Sequence, residues 1–431
     1  LLGAGTADAR GLTTGFADPL LKAFGERDGD AVFRVARGAG ARVVRVPVVW
    51  GNVAWGSPAQ ATDPNDRVYH WDEVDDRVAR ISAAGLEPLL SVYGTPNFAR
   101  LRGGTPHASD LAAFMTAIAR RYDGSSRPRV RRFQLWNEPN LKDYMDQGDA
   151  PAQYREMLRA AYPAVHGVHE DNLLVAGGLA PFAGPDKRYG EHPLPWMRAA
   201  LSEPAPFDVW SMHPYTSGPP AGRAVVRGDA SIGDLATVRS ILRRTGHADA
   251  QLWATEFSWD SSPPDPFGVP VREHARWVAE GLYRMWRHGV SLVVWFQLRD
   301  NPKGTFEWGQ TFQSGLYFRT TDRYADEKAK PALRAFRFPF VALPARGGVD
   351  LWGRTPDSAA GRVVVERRAG RRWRRVVTLR ADRDGIFRRR LRGRRGTFRA
   401  RTGGTASQPF AARRTRPRFV NPFGGEALPP D

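Results

Sequence analysis

The chain has 431 residues, 42% of them hydrophobic and 25% charged, and its formal net charge is +19. This length predicts one large domain and a smaller one, and no run reaches the roughly 18 uncharged apolar residues that a membrane-spanning helix needs. Because cysteine is absent, disulfide bonds, thiolate metal sites and cysteine nucleophiles are excluded.

The first residue is Leu1 rather than Met. A processed N-terminus is therefore predicted, and any secretory signal peptide is expected to be missing from this sequence. We expect a secreted, extracellular protein.

Strand-like apolar segments recur along the first 300 residues. Eight strands are predicted, at residues 11–17, 42–50, 87–93, 130–136, 173–178, 207–213, 251–257 and 290–297. Between them lie amphipathic runs, such as 111–122 and 275–286, whose apolar residues have the spacing of one helix face. The strands read as continuous Val, Leu and Trp, which is typical of a parallel sheet buried on both faces. Eight such units predict a (β/α)8 TIM barrel.

A doubly wound open sheet is the alternative architecture. That fold carries a glycine-rich phosphate turn after its first strand, but Gly3-Ala4-Gly5 and Gly38-Ala39-Gly40 lack the third glycine and the strand context. A nucleotide-binding fold is therefore disfavoured. The motifs typical of serine hydrolases, nucleotide hydrolases and zinc proteases are also absent from the sequence.

After Pro344 the pattern changes to short segments separated by Gly or Asp-Gly turns. Four strands are predicted there, at 362–366, 373–379, 386–391 and 397–401. We expect a barrel at 1–344, a small Arg-rich, antiparallel β-sandwich-like domain at 345–411, and a tail at 412–431. The tail is rich in Pro, Arg and Gly without a period, which predicts a wrapping or disordered segment.

Most of the positive charge lies in this C-terminal part. Residues 346–431 contain 23 arginines, no lysine and 7 acidic residues, a net charge of +16. Such a surface can bind an anionic polymer, and we prefer an acidic glycan or the cell wall to nucleic acid, which is not an expected partner. The alternative is an Arg-rich surface that has no partner, because arginine outnumbers lysine 58 to 6 over the whole chain.

Two glutamates occupy the ends of predicted strands. Glu138 lies in Trp136-Asn137-Glu138-Pro139-Asn140 after the fourth strand, and Glu256 lies in Trp253-Ala254-Thr255-Glu256-Phe257 at the end of the seventh. The C-terminal strand ends of a barrel form one mouth, so the two side chains should face each other there. Two carboxyl groups are what glycosidic bond cleavage requires. The pair predicts a glycosidase.

The surroundings of the two glutamates suggest different roles. Apolar neighbours favour the protonated form of Glu138, whereas hydrogen bonds from Tyr215 or Arg45 would keep Glu256 ionised. We therefore expect Glu138 to be the acid/base and Glu256 the nucleophile.

The run Phe133-Gln134-Leu135-Trp136-Asn137-Glu138-Pro139-Asn140-Leu141, with Tyr154, Leu158 and Gly177-Gly178 beyond it, resembles the acid/base strand of clan A retaining glycoside hydrolases. Family 39 is the most similar and family 5 the second choice. The segment 253–257 resembles the nucleophile strand of that clan, and His213-Pro214-Tyr215 resembles its sixth-strand motif. The resemblance covers residues 11–344. It implies hydrolysis through a covalent glycosyl-enzyme, with a carbohydrate substrate. The residues themselves offer no convincing ligand cluster, so no metal and no cofactor are expected.

The resemblance also implies the substrate-binding residues. Asn137 would bind the sugar 2-hydroxyl, Tyr215 and Arg45 would orient Glu256, and Trp295, at the end of the eighth strand, would form a platform under the sugar ring. His213 is interpreted as a structural histidine that borders the site. Two alternatives stay open, a core role for Trp295 and a purely structural ion pair for Arg45. Asn97 stands where many relatives have an aromatic residue, so sugar specificity does not carry over.

Overall fold

The computed structural model describes residues 11–18, 29–101, 104–145, 148–302, 312–320, 323–393 and 395–421. Eight parallel strands close into a barrel in which each strand pairs with the next along the chain and the eighth pairs with the first. They are β1 Thr13–Ala17, β2 Val43–Val49, β3 Glu87–Tyr93, β4 Arg132–Leu135, β5 Leu173–Leu179, β6 Val209–Met212, β7 Gln251–Phe257 and β8 Val290–Phe296. The predicted (β/α)8 barrel is confirmed.

Helices follow the strands and cover the outside of the barrel. They are α1 Gly29–Gly38, α2 Trp50–Val53, α3 Asp72–Ala83, α4 Ala108–Arg121, α5 Ala150–His166, α6 Pro193–Ala200, α7 Leu235–Arg244, α8 Val271–Arg287 and α9 Pro331–Arg337. The two amphipathic runs of the sequence form most of α4 and α8, whose apolar faces are buried. No helix in the described part of the chain combines the length and apolar content needed to cross a bilayer.

The strands bury both of their faces, as a sheet enclosed by helices requires. One face fills the barrel interior with an apolar cluster of Ala17, Val43, Leu89, Val175, Val209, Trp253, Leu292 and Val294. The other face packs against the helices in a much larger core. Since neighbouring residues of a strand point to opposite faces, the interior cluster shows which positions of each strand face the barrel axis.

Two antiparallel sheets follow the barrel. One has the order β9 Phe340–Ala345, β10 Gly348–Arg354 and β13 Ile386–Arg392, and the other is formed by β12 Arg372–Ala381, β11 Gly361–Ala369 and β14 Thr397–Thr402 with two short strands beyond. The predicted antiparallel β fold is confirmed. Strands β9 and β10 were not predicted from the sequence, and β9 crosses the residue at which the sequence pattern changes.

The described part of the tail, residues 412–421, wraps over the barrel. Arg276 of α8 donates hydrogen bonds to the carbonyl oxygens of Ala411 (2.8 Å) and Arg413 (2.5 Å) and to Thr415 Oγ1 (3.0 Å). Further on, the Val420 N–H donates to the carbonyl oxygen of Ser217 in the loop after β6 (2.9 Å). The segment therefore connects the β sheets to the loops at the barrel mouth. The rest of the predicted tail, 422–431, lies outside the described residues.

Candidate active site

A left-handed turn follows β4 and places Glu138 at the barrel mouth. Trp136 and Glu138 have φ angles of 71° and 43°, which are unfavourable for residues with a side chain. The turn is held by backbone hydrogen bonds from Trp136 N to Val92 O (2.8 Å) and from Glu138 N to Gly178 O (3.0 Å). Strained backbone of this kind concentrates at functional sites, where the surrounding structure compels it.

A β-bulge in β7 aims Glu256 into the barrel. Trp253 faces the interior and Ala254 the helices, so strict alternation would turn the side chain at 256 outward. The pairing with β8 shifts, however, because Val293 pairs with Ala254 and Trp295 with Phe257. Residues 255 and 256 thus oppose a single residue of β8. Bulges of this kind re-aim side chains next to active sites.

Both carboxylate oxygens of Glu256 accept hydrogen bonds. Tyr215 donates from its hydroxyl to Oε1 (2.7 Å), and Arg45 donates from Nη1 to Oε2 (2.9 Å). The side chain of Arg45 is 8% exposed and that of Glu256 is 19% exposed, so the ion pair is largely shielded from solvent. The two donors hold the carboxylate in one orientation. This is the arrangement expected for these three residues from the sequence.

Arg45 is held in place by three further acceptors. It donates from Nε to Gln134 Oε1 (3.1 Å) and from Nη2 to Ser91 Oγ (3.1 Å) and Asn137 Oδ1 (2.7 Å). Because Asn137 uses its oxygen to accept from Arg45, its amide presents NH₂ hydrogens as donors. That orientation suits a contact with a sugar hydroxyl.

Glu138 pairs with a histidine rather than with a cation. The distance from His213 Nδ1 to Glu138 Oε1 is 2.9 Å, and His213 is fully buried. Burial lowers the pKa of His213 to about 3, so its imidazole is neutral. Its Nε2 is buried without a hydrogen-bond partner among the described residues, which favours the tautomer in which Nδ1 carries the hydrogen and donates to Glu138.

Burial also raises the pKa of Glu138 from 4.5 to about 7, even though Arg45 acts in the opposite direction. Its side chain is 14% exposed, so it is reachable from the mouth. A carboxyl group with a pKa near neutrality can both give and take a proton at physiological pH. The environment of Glu138 is the one expected for an acid/base residue.

The two carboxyl groups converge. One oxygen of Glu138, one oxygen of Glu256 and a ring nitrogen of His213 all lie within 4.8 Å of one another. Such a group is also close enough to hold a metal ion. Both oxygens of Glu256 and Nδ1 of His213 are engaged in the hydrogen bonds already described.

The prediction for Trp295 is wrong. Its side chain is fully buried on the outer face of β8, where the ring packs against Phe257 and Phe336, and its Nε1 donates to the carbonyl oxygen of Ser314 (2.9 Å). Leu292 and Val294 face the barrel interior, so the next inward position is Phe296. Phe296 is half-buried at the mouth end of β8, where it packs against the interior cluster.

The other predicted residues, Arg45, Asn137, His213 and Tyr215, come together around the two glutamates. Sequence reasoning missed Gln134 and Ser91, which hold Arg45, and Tyr93 and Tyr144, whose rings meet beside the site (centroids 6.0 Å apart). Alternate residues of a strand share a face, and β3 and β4 are the next strands after the one that carries Arg45. This alternation could have identified Gln134, Ser91 and Tyr93 as residues that face the barrel interior. Tyr144 lies in a loop and carries no such signal.

The sequence and the fold are both similar to those of known proteins. Residues 7–296 match the family model described as Cellulase (glycosyl hydrolase family 5). The chain is also similar to a β-xylosidase of Geobacillus stearothermophilus, with 25% identity over 213 residues. That match covers 46% of this chain and only 40% of the β-xylosidase.

The fold is similar to solved structures at low sequence identity. A family 39 glycoside hydrolase from Bacteroides cellulosilyticus WH2 has a TM-score of 0.56 at 18% identity, and the match covers 90% of this chain and 81% of the other. A monomeric β-xylosidase from Caulobacter crescentus CB15 has a TM-score of 0.56 at 16% identity, with 90% and 95% covered. The resemblance seen in the sequence is confirmed, with family 5 as the matching model and family 39 among the fold neighbours.

Proposed function

The chain belongs to the cellulase family, glycosyl hydrolase family 5, and on that premise we propose that it is a retaining glycosidase that cleaves O-glycosidic bonds by double displacement. The observation that carries the proposal is the approach of Glu138 and Glu256 oxygens to within 4.8 Å. Retaining enzymes hold their two carboxyl groups about 5 to 5.5 Å apart, whereas inverting enzymes need roughly 6.5 to 9.5 Å to admit a water molecule.

In the first step, a carboxylate oxygen of Glu256 attacks the anomeric carbon while the bond to the leaving oxygen breaks. Glu138, protonated near neutral pH, gives its proton to that oxygen. Arg45 and Tyr215 orient the attacking carboxylate, and the neutral His213 holds Glu138 without adding a positive charge that would favour its ionised form.

In the second step, the Glu138 carboxylate takes a proton from water. The water oxygen attacks the anomeric carbon, the ester bond to Glu256 breaks, and Glu256 leaves as a carboxylate. Each displacement inverts the anomeric centre, so the product keeps the configuration of the substrate. The Glu256 negative charge returns beside Arg45, which stabilises it as a leaving group.

The substrate class is proposed from the relatives. Two of the similar proteins are β-xylosidases by name, so aryl β-xylosides, with β-glucosides next, are the first substrates to assay. Action on a plant or microbial polysaccharide outside the cell fits this proposal and the expectation of a secreted protein.

A second candidate function, the binding of an acidic glycan or cell-wall polymer, is favoured by the surface of β12. Its exposed residues Arg372, Arg374, Arg375 and Arg380 form no ion pair with another residue of the described ranges. Two cross-strand pairs, Arg362 with Arg380 and Arg367 with Arg374, even place like charges opposite each other. Such pairs destabilise a sheet. A polyanion bound along β12 would relieve this repulsion.

A panel of nitrophenyl glycosides tests the enzyme. We expect hydrolysis by the full chain, loss of turnover in Glu256→Gln, and retention of activity in the control Glu191→Gln, whose side chain pairs with Lys187 at the surface. The second candidate function makes a different set of predictions. No glycoside or polysaccharide would be hydrolysed, whereas an acidic polysaccharide would bind with an affinity that falls steeply as salt is added. The double variant Arg374→Ser/Arg375→Ser would bind that polysaccharide more weakly.

A further inference from the structure

We propose that Tyr93 and Tyr144 are substrate-binding residues that form the wall of the site on the β3 and β4 side and contact the sugar ring whose bond is cleaved. The proposal rests on the proposed glycosidase function and adds two residues that the sequence motifs do not include. Tyr93 ends β3, and Tyr144 lies in the loop between β4 and α5.

The alternation of β3 directs Tyr93 into the mouth. Leu89 belongs to the apolar cluster inside the barrel, and Ser91 accepts a hydrogen bond from Arg45. Tyr93 is the next residue on the same face of the strand, so it forms the layer directly above the Arg45 guanidinium. Asn97, the position at which the sequence resemblance led us to expect an aromatic residue, is exposed in the turn that follows.

The left-handed turn that positions Glu138 also positions Tyr144. The Trp136 side chain is buried, and its Nε1 donates to the carbonyl oxygen of Tyr144 (2.9 Å). That bond ties the loop to the end of β4. The Tyr144 ring then meets the Tyr93 ring edge to face, with centroids 6.0 Å apart and planes at 76°. The aromatic wall is therefore preformed rather than assembled by a ligand.

The hydroxyl groups of this wall are free to bind a ligand. Neither Tyr93 nor Tyr144 forms a side-chain hydrogen bond with another residue in the described ranges, whereas Tyr154 and Tyr215 each use their hydroxyls. Both rings are partly exposed. Burial raises the pKa of both phenols, and the charge of Glu256 raises both further. They are thus neutral donors and acceptors beside the nucleophile, which suits the hydroxyl groups of a sugar.

Electrostatics distinguishes the two tyrosines. The charge of Glu138 also raises the pKa of Tyr144, more than that of Glu256 does, whereas Tyr93 responds to Arg45 and Glu256. Their places in the fold agree: Tyr144 follows Glu138 in the loop after β4, whereas Tyr93 stands on the strand whose Ser91 accepts from Arg45, the partner of Glu256. We therefore assign Tyr144 to the side of the acid/base, where the leaving group departs, and Tyr93 to the side of the nucleophile.

The opposite wall is Phe296. In a ring of eight strands β8 lies across from β4, and Phe296 is the inward residue at the end of β8. Its ring is held edge to face by Phe312 (centroids 4.9 Å apart). A sugar ring above Arg45 and Glu256 would therefore lie between one apolar wall and one wall that carries two hydroxyls.

The test removes only the hydroxyls. Tyr93→Phe and Tyr144→Phe are compared with the control Tyr283→Phe, whose ring packs on Trp352 at the outer side of α8. For each variant kcat and KM are measured on the best aryl glycoside, and binding of xylohexaose and cellohexaose is measured by calorimetry. Thermal midpoints show whether the fold is intact.

We expect a loss of about 3- to 30-fold in kcat/KM for both variants, the size of a lost hydrogen bond, and no change in the control. For Tyr144→Phe the loss should depend on the leaving group, whereas for Tyr93→Phe it should not. If the wild type hydrolyses glycosides and both variants stay within twofold of the control, the wall does not bind substrate. A wild type that binds oligosaccharides without cleaving them overturns only the proposed function, provided that the variants weaken this binding. A wild type that neither binds nor cleaves overturns both.

Discussion

Replacing Glu138 by Gln should make the protein more stable at alkaline pH. The substitution keeps the shape of the side chain and an oxygen that can accept from His213 Nδ1, but it removes the ionisable proton. At the barrel mouth the ionised form of Glu138 is poorly solvated, because the side chain is only 14% exposed and its partner His213 is neutral. The wild type must carry this charge above neutral pH, and the variant never does.

The magnitude follows from the pKa of Glu138. A rise from 4.5 to about 7 means that ionisation costs about 3 kcal/mol more in the folded protein than in the unfolded chain. Below pH 4.5 both states hold the proton and the cost is absent. As the pH rises from 4.5 through 7 the unfolded chain releases the proton while the folded protein keeps it, so the wild type loses this stability. Above pH 7 the loss is complete.

The assay is urea unfolding of the wild type, Glu138→Gln and the surface control Glu191→Gln at pH values from 4 to 9. We expect the free energy of unfolding of Glu138→Gln, relative to the wild type, to increase by about 3 kcal/mol across that range, and no such increase for the control. A difference that is constant with pH would refute the raised pKa and, with it, the protonated state assigned to the acid.

Three further predictions concern catalysis. The wild-type kcat/KM should fall above about pH 7 as Glu138 loses its proton, and a profile that stays flat to pH 9 would contradict its role as acid. Glu138→Ala should lose little of the first step with dinitrophenyl leaving groups, which need no proton, and much more with alkyl ones; equal losses would count against it. Tyr215→Phe removes the donor to Glu256 Oε1, so kcat should drop by about 10- to 100-fold, and unchanged kcat would show that Arg45 alone orients the nucleophile.

The arrangement of the barrel could be predicted because its signals are local. Strands β3 and β7 have the predicted bounds, and the convergence of Glu138 and Glu256 follows from barrel closure once both lie at C-terminal strand ends. Arg45 and Tyr215 contact Glu256 as expected. Both predictions rest on sequence patterns of a parallel sheet that is buried on both faces: continuous apolar strands, and functional residues at their C-terminal ends.

The orientation of individual side chains could not be predicted. Strand β8 is apolar on both faces, with the sequence Val-Ser-Leu-Val-Val-Trp-Phe. Its sequence therefore does not indicate that Trp295 faces the helices and Phe296 the mouth. The inward orientation of Glu256 depends on a bulge, which becomes visible only in the pairing of β7 with β8. Tyr144 depends on a loop whose shape is fixed by its own backbone hydrogen bonds and by the one from Trp136 Nε1 to the Tyr144 carbonyl oxygen.

The covalent intermediate on Glu256 is tested most directly by trapping it. The full chain is incubated with the 2-deoxy-2-fluoro analogue of the aryl glycoside that it hydrolyses best, because the fluorine slows both steps and a good leaving group lets the first one proceed. Mass spectrometry of the digested protein then locates the sugar. We expect one sugar per chain, bound through an ester to Glu256 and absent in Glu256→Gln. A sugar on Glu138, or turnover of the natural glycoside with inverted configuration and no trapped ester, would contradict the double displacement.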